Sequence, residues 1–145
     1  MLATKPNVNF DDFEGLANIY SKYGDAVPAK KNEMIKKAVD LFREAGQKFP
    51  IQQVYATYMA ANNVNKLDDN MKNSLAKPDY LKLIELLGPK TDRSRGEDTM
   101  LKTAYHYMMF NSYINKNVPG AKEYAAKILS IDPEYKPALE IQNLK

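Results

Sequence analysis

Few residues in this chain have the type and spacing for covalent or proton-transfer chemistry. His106 is the only histidine and there is no cysteine. A general base needs a nucleophile and an orienting partner within reach, and the run Tyr105-His106-Tyr107-Met108 supplies neither. One imidazole without thiolates does not make a zinc site. The missing cysteines also exclude disulfides, iron–sulfur clusters and a cysteine nucleophile. Carboxylates cluster at Asp11-Asp12-Phe13-Glu14 and at Asp68-Asp69, but neither run has the spaced oxygen donors and central glycine of a calcium loop. Both read as solvated helix starts. Gly88-Pro89-Lys90-Thr91 resembles the tail of a phosphate loop but lacks the leading glycine and the preceding strand. The expectation is a chain with no metal, no cofactor and no catalytic residue.

Composition points the same way. Forty-four per cent apolar and 27% charged residues describe a globular chain rather than a disordered one. At 145 residues it is long enough for one ordinary domain with its own core. Twenty-one basic against 18 acidic residues leave a net charge of +3, short of the concentrated basic stripe that nucleic-acid binding requires. No apolar run reaches the length of a membrane span. The start, Met1-Leu2-Ala3-Thr4-Lys5-Pro6, has no hydrophobic signal core. Two localisations stay open, cytoplasmic or exported with a leader removed upstream.

The elements that must position these side chains are helical. Phe13, Leu16, Ala17, Ile19, Tyr20 and Tyr23 fall on one face at 3.6-residue spacing, and Gly24 is expected to end that helix. A loop over 25–31 containing Pro28 follows. Met34, Ile35, Ala38, Val39, Leu41, Phe42 and Ala45 mark a second helix that Pro50 stops. A third helix spans 51–64, and a fourth runs through Tyr80, Leu83 and Leu87 to Gly88-Pro89, with Pro78 allowed only in its first turn. The stretch 90–98 reads as a flexible polar loop. Helices over 97–115 and from Gly120 to Ile131 follow, and Pro137 opens a short last helix. No strand is expected.

A period links these helices. Ala38, Phe42, Ala45 and Pro50 have the spacing of Ala121, Ala125, Ile128 and Pro133, and Ala76, Tyr80 and Leu83 repeat its first three terms. Phe13, Leu16, Ala17 and Tyr20 match Tyr105, Met108, Met109 and Ser112. Small residues let paired helices approach and large ones fill the groove between them.

On these residues the chain resembles tetratricopeptide-repeat (TPR) proteins, most closely over Lys102–Tyr135, which fills one repeat of about 34 residues. It looks like the C-terminal part of a bacterial member. Met109 departs from the glycine or alanine usual in the family, and Asn63 stands where an aromatic is usual. The resemblance implies an all-α fold of antiparallel helix pairs stacked as a right-handed superhelix. It implies a single domain over 1–145, with repeats at 10–52, 53–90 and 97–135 and a capping helix at 137–144.

It also implies function: a non-catalytic scaffold that holds a peptide or protein in the concave groove of the array. Carried over by position, the groove residues are Thr103, His106, Phe110 and Tyr113 in the third repeat. Glu14 and Asn18 are the candidates in the first, with Asp11 and Lys22 flanking them, and Val54, Thr57, Ala61 and Asn65 in the second. The clamp by which some relatives grip a C-terminal carboxylate is not matched by Glu14 and Asn18. The first helix carries much apolar surface for a cap, so either upstream repeats precede it or it pairs with another chain as a homo-oligomer. The alternative function is binding of RNA or another polyanion, which ten tyrosines and a pI of 8.9 keep open.

Overall fold

Proline and capping residues punctuate the chain into seven α-helices. The computed structural model describes residues 7–145, and no strand occurs among them. Helix α1 (Phe10–Ala26) opens on a reciprocal capping box. The Asn9 side chain accepts from the Asp12 backbone N–H at 3.0 Å, and the Asp12 carboxylate accepts from Asn9 N–H at 2.9 Å. A 3-10 turn over Pro28–Lys30 leads to α2 (Lys31–Lys48), and a second over Pro50–Gln52 leads to α3 (Gln53–Asn65). Helix α4 (Lys77–Leu87) has Pro78 in its first turn, where the missing N–H costs nothing. Then come α5 (Arg95–Ile114), α6 (Val118–Ile131) and α7 (Lys136–Gln142).

The chain divides into two compact units, Met1–Asp79 and Tyr80–Lys145, with the boundary inside α4. In the first, α2 packs against both α1 and α3. The small and large residues of the repeat pattern form its core: Phe13, Ala17, Ala38, Phe42 and Ala45 are all buried. Phe10, Phe49 and Tyr55 close one end with rings about 6 Å apart, set edge-on or tilted. In the second unit α5 folds back through residues 115–117 onto α6, and α6 packs on α7. Tyr105, Met108, Met109, Ala121, Ala125 and Ile128 are buried there. Tyr80 of α4 stacks on Tyr107 with centroids 4.6 Å apart.

Four local features differ from the sequence reading. Ile19 and Tyr23, read onto one face of α1 with Phe13 and Ala17, are exposed while those two are buried, because α2 covers a narrower stripe than the apolar residues mark. Gly24 does not end α1, which continues to Ala26, and no glycine has positive φ. Gly24 is a contact residue instead: a Cβ there would lie 3.0 Å from Ile35 Cγ1, so its absence lets α2 close on α1. The stretch after α4 is tied down. Arg93 Nε donates to Asp98 Oδ1 at 2.7 Å, its Nη1 reaches the carbonyls of Leu87, Gly88 and Lys90, and Lys90 pairs with Glu97 at 2.8 Å. Arg93 thus satisfies the carbonyls left open at the end of α4. Ser94 and Glu97 form a second capping box, which starts α5 two residues earlier than its apolar period suggests. Finally, Asp68 is no solvated helix start. It is buried and accepts from the backbone N–H groups of Asn73 (2.9 Å) and Leu75 (3.0 Å), bracing a loop in which Asn70, Met71 and Ser74 have positive φ.

Candidate binding site

Helix α5 is the longest in the chain, and one stripe of it carries Thr103, His106, Phe110 and Tyr113 at spacings of three, four and three. Residues so spaced lie one above another on a helix. Thr103 is half-buried and its hydroxyl donates to the Thr99 carbonyl at 3.0 Å, so it acts as part of the helix surface. His106 and Phe110 are half-buried with ring centroids 4.8 Å apart. Tyr113 is exposed at 45%.

Tyr135, which enters from the turn before α7, completes the group. Its hydroxyl lies 2.5 Å from His106 Nδ1 and its ring meets the imidazole edge-on at 5.7 Å. Burial pushes the His106 pKa down from 6.5, favouring the neutral ring. Burial, with Asp132 adding to it and Lys102 opposing, pushes the Tyr135 phenol up. Both shifts keep the pair neutral, and the hydrogen bond between the phenol and Nδ1 fixes the orientation of the imidazole and leaves Nε2 to other partners. Behind Tyr135, the Lys102 ammonium stands 5.1 Å from the ring centroid and 3.1 Å from Asp132 Oδ2. The stripe therefore offers aromatic area, an imidazole of fixed orientation, and a phenol at its exposed end.

Sequence reasoning placed the α5 members of this group but missed Tyr135, Lys102 and Asp132. The signal was weak: Tyr135 is an aromatic directly before the proline-started α7, and only the folding back of α6 brings it beside a residue 29 positions earlier.

In the first unit the corresponding side of α1 is occupied by bonds to α3. Glu14 is hydrogen-bonded to the Tyr55 hydroxyl. Burial first, then that bond and the carboxylate charge, push the Tyr55 pKa up to about 12. One turn along, Asn18 is half-buried. Beyond it Ser21 Oγ donates to the buried Asn63 Oδ1 at 2.7 Å and accepts from Lys66 Nζ at 2.9 Å, and Lys66 pairs with Asp25 at 2.8 Å. The polar side chains that reach α1 are thus Tyr55 and Asn63 of α3 and Lys66 just after it. Ala61 is fully buried and offers no surface, while Thr57 faces a hollow shared with Phe42, Arg43 and Asp79. Val54 and Asn65 are half-buried.

No helix among the described residues is long and apolar enough to cross a membrane. Compared with models of known protein families, with curated proteins and with solved structures, the chain matches none.

Proposed function

We propose that this chain is a non-catalytic interaction module of the tetratricopeptide type, and that it holds a peptide or protein partner in a concave groove lined by the Thr103–Tyr113 stripe of α5. The observation that carries this is the grouping of half-buried Phe110 and exposed Tyr113 with an imidazole that Tyr135 holds in place. A preformed aromatic platform gives a partner contact area at little entropic cost, and an oriented imidazole gives it direction. Phe110 and Tyr113 supply the apolar anchors, His106 Nε2 hydrogen-bonds a polar group of the partner, and Thr103 shapes the far end. Glu14 and Asn18 have a lesser part, since Glu14 is already bonded to Tyr55. The right-handed stacking of helix pairs that the resemblance implies belongs to this same reading, as does the bacterial origin.

The test is selection from a random peptide library displayed on phage, run in parallel on the wild type and on Phe110→Ala/Tyr113→Ala. Wild type should enrich peptides that the double variant binds at least about tenfold more weakly, with both proteins melting alike. Enrichment that the double variant shares in full would refute the assignment of this face. The polyanion alternative is tested by filter binding of single-stranded RNA. Submicromolar affinity with a steep salt dependence would replace the peptide reading.

A further inference from the structure

A second surface lies on α1, in the first unit. Along α1, Gly15, Leu16, Ile19 and Tyr23 share one side at spacings of one, three and four. Ile19 is 64% exposed and Tyr23 47%, although the helix has already buried Phe10, Phe13, Ala17, Ser21 and Gly24 on its other side. Gly15 is the odd member. A glycine inside a helix costs roughly 1 kcal/mol relative to alanine, and no described atom lies within 4 Å of where its Cβ would be. Gly24 of the same helix earns its place against Ile35; Gly15 has no such reason among the described residues.

We propose that this face is a self-association surface, on which α1 of one chain packs antiparallel against α1 of a second copy. The spacing fits a two-fold axis through Ile19. Gly15 and Tyr23 lie four residues to either side of Ile19, about 6 Å along the helix. The axis therefore sets Tyr23 of each copy level with Gly15 of the other, a large side chain over a position that has none. Ile19 meets Ile19 at the centre. Charge selects the same direction. Asp11 and Asp12 occupy the first turn and Lys22 lies near the opposite end, exposed, so the antiparallel pair brings each lysine toward the partner's aspartates. A parallel pair would set Tyr23 on Tyr23 and acid on acid. The interface is isologous and closes as a dimer. With one helix of 17 residues on each side, it falls in the small, transient class, below about 1,200 Å² in total.

The experiment is sedimentation equilibrium of the full chain over about 5–500 µM, the range such small interfaces require. The mass should rise from 16.5 kDa toward twice that value. Tyr23→Ala and Gly15→Gln should each weaken association at least about tenfold. Circular dichroism and urea midpoints should show both folded, since the space over Gly15 is open. Lys22→Glu should weaken it too, and adding Asp11→Lys should restore it. Phe110→Ala should associate like the wild type, which separates this face from the α5 stripe. A wild type that stays at 16.5 kDa throughout would overturn the proposal. So would a dimer indifferent to both Gly15→Gln and Tyr23→Ala.

Discussion

The bonds that join α1 to α3 can be weighed by a double-mutant cycle on Ser21 and Asn63. Asn63 is 3% exposed and Ser21 7%, so neither finds water when its partner is removed. Ser21→Ala leaves Asn63 Oδ1 without its donor and takes one acceptor from Lys66, which keeps Asp25. An orphaned buried acceptor costs about 1–3 kcal/mol. Asn63→Ala removes the same bond, the 2.8 Å bond to the Met59 carbonyl and the amide's volume, for roughly 2–4 kcal/mol. The double variant has no orphan at this place, so the two losses should fall short of additive by about 1–2 kcal/mol. By contrast the Lys66–Asp25 pair, at 35% and 50% side-chain exposure, should be worth less than about 1 kcal/mol by Lys66→Met. Urea denaturation reads all of these. At an m-value of about 1–3 kcal/mol/M, a loss of 2 kcal/mol moves the midpoint by roughly 1 M. Additivity within about 0.5 kcal/mol would refute the claim that these side chains couple the two helices.

The Tyr135–His106 pair should make the second unit acid-sensitive. The folded His106 pKa lies below its ordinary 6.5, so below that value the unfolded chain binds more protons and stability falls. It is whole above about pH 6.5 and is lost as pH drops through the folded value. Urea midpoints at about pH 7.5 and 5 should differ in the wild type and much less in His106→Gln; equal slopes in both would count against the pair. Asp68→Ala strips two backbone donors of their acceptor and should cost about 2–4 kcal/mol, with faster tryptic cutting at exposed Lys72. Unchanged stability would show that the loop holds without its carboxylate. Two glycines of α1 should answer alanine with opposite signs. Gly15→Ala gains about 1 kcal/mol of helix propensity at no steric cost. Gly24→Ala sets its gain against overpacking on the fully buried Ile35, about 1–3 kcal/mol, and should lose stability on balance in thermal melts.

What the sequence discloses and what it hides divide along physical lines. Helix limits set by covalent chemistry were legible: Pro50 in a turn before α3, Pro78 and Pro137 in first turns. So was the core, because a side chain's volume is written in its identity. Ala38, Phe42 and Ala45 are buried, as are Ala121, Ala125 and Ile128. Residues whose roles depend on partners far along the chain were not legible. Gly24 looks like a helix stop until Ile35 is seen against it. Asp68 looks solvated until the chain turns back and brings the N–H groups of Asn73 and Leu75 to it. Arg93 reads as part of a basic loop, yet it caps the α4 carbonyls. In the candidate site, the α5 residues came by position from the resemblance, whereas Tyr135 joins them only through the return of α6.

A division of labour follows from where the polar bonds lie. Within a pair, α1 on α2 or α5 on α6, small and large residues are buried together, Ala17 and Phe42 in one core and Tyr105, Ala121 and Ala125 in the other. Such contacts are non-directional and tolerate sliding as long as volume is filled. Directional bonds occur where an element must be set beside something other than its own pair. Ser21 and Asn63 set α1 beside α3, Arg93 sets the end of α4 beside the start of α5, and Tyr135 with His106 sets the turn into α7 beside α5. A hydrogen bond is lost over a displacement that a hydrophobic contact would survive. These few bonds therefore fix register where apolar packing leaves it loose. An aromatic at position 63 would supply more apolar surface and still loosen α1 on α3, because Ser21 would lose the acceptor that positions it.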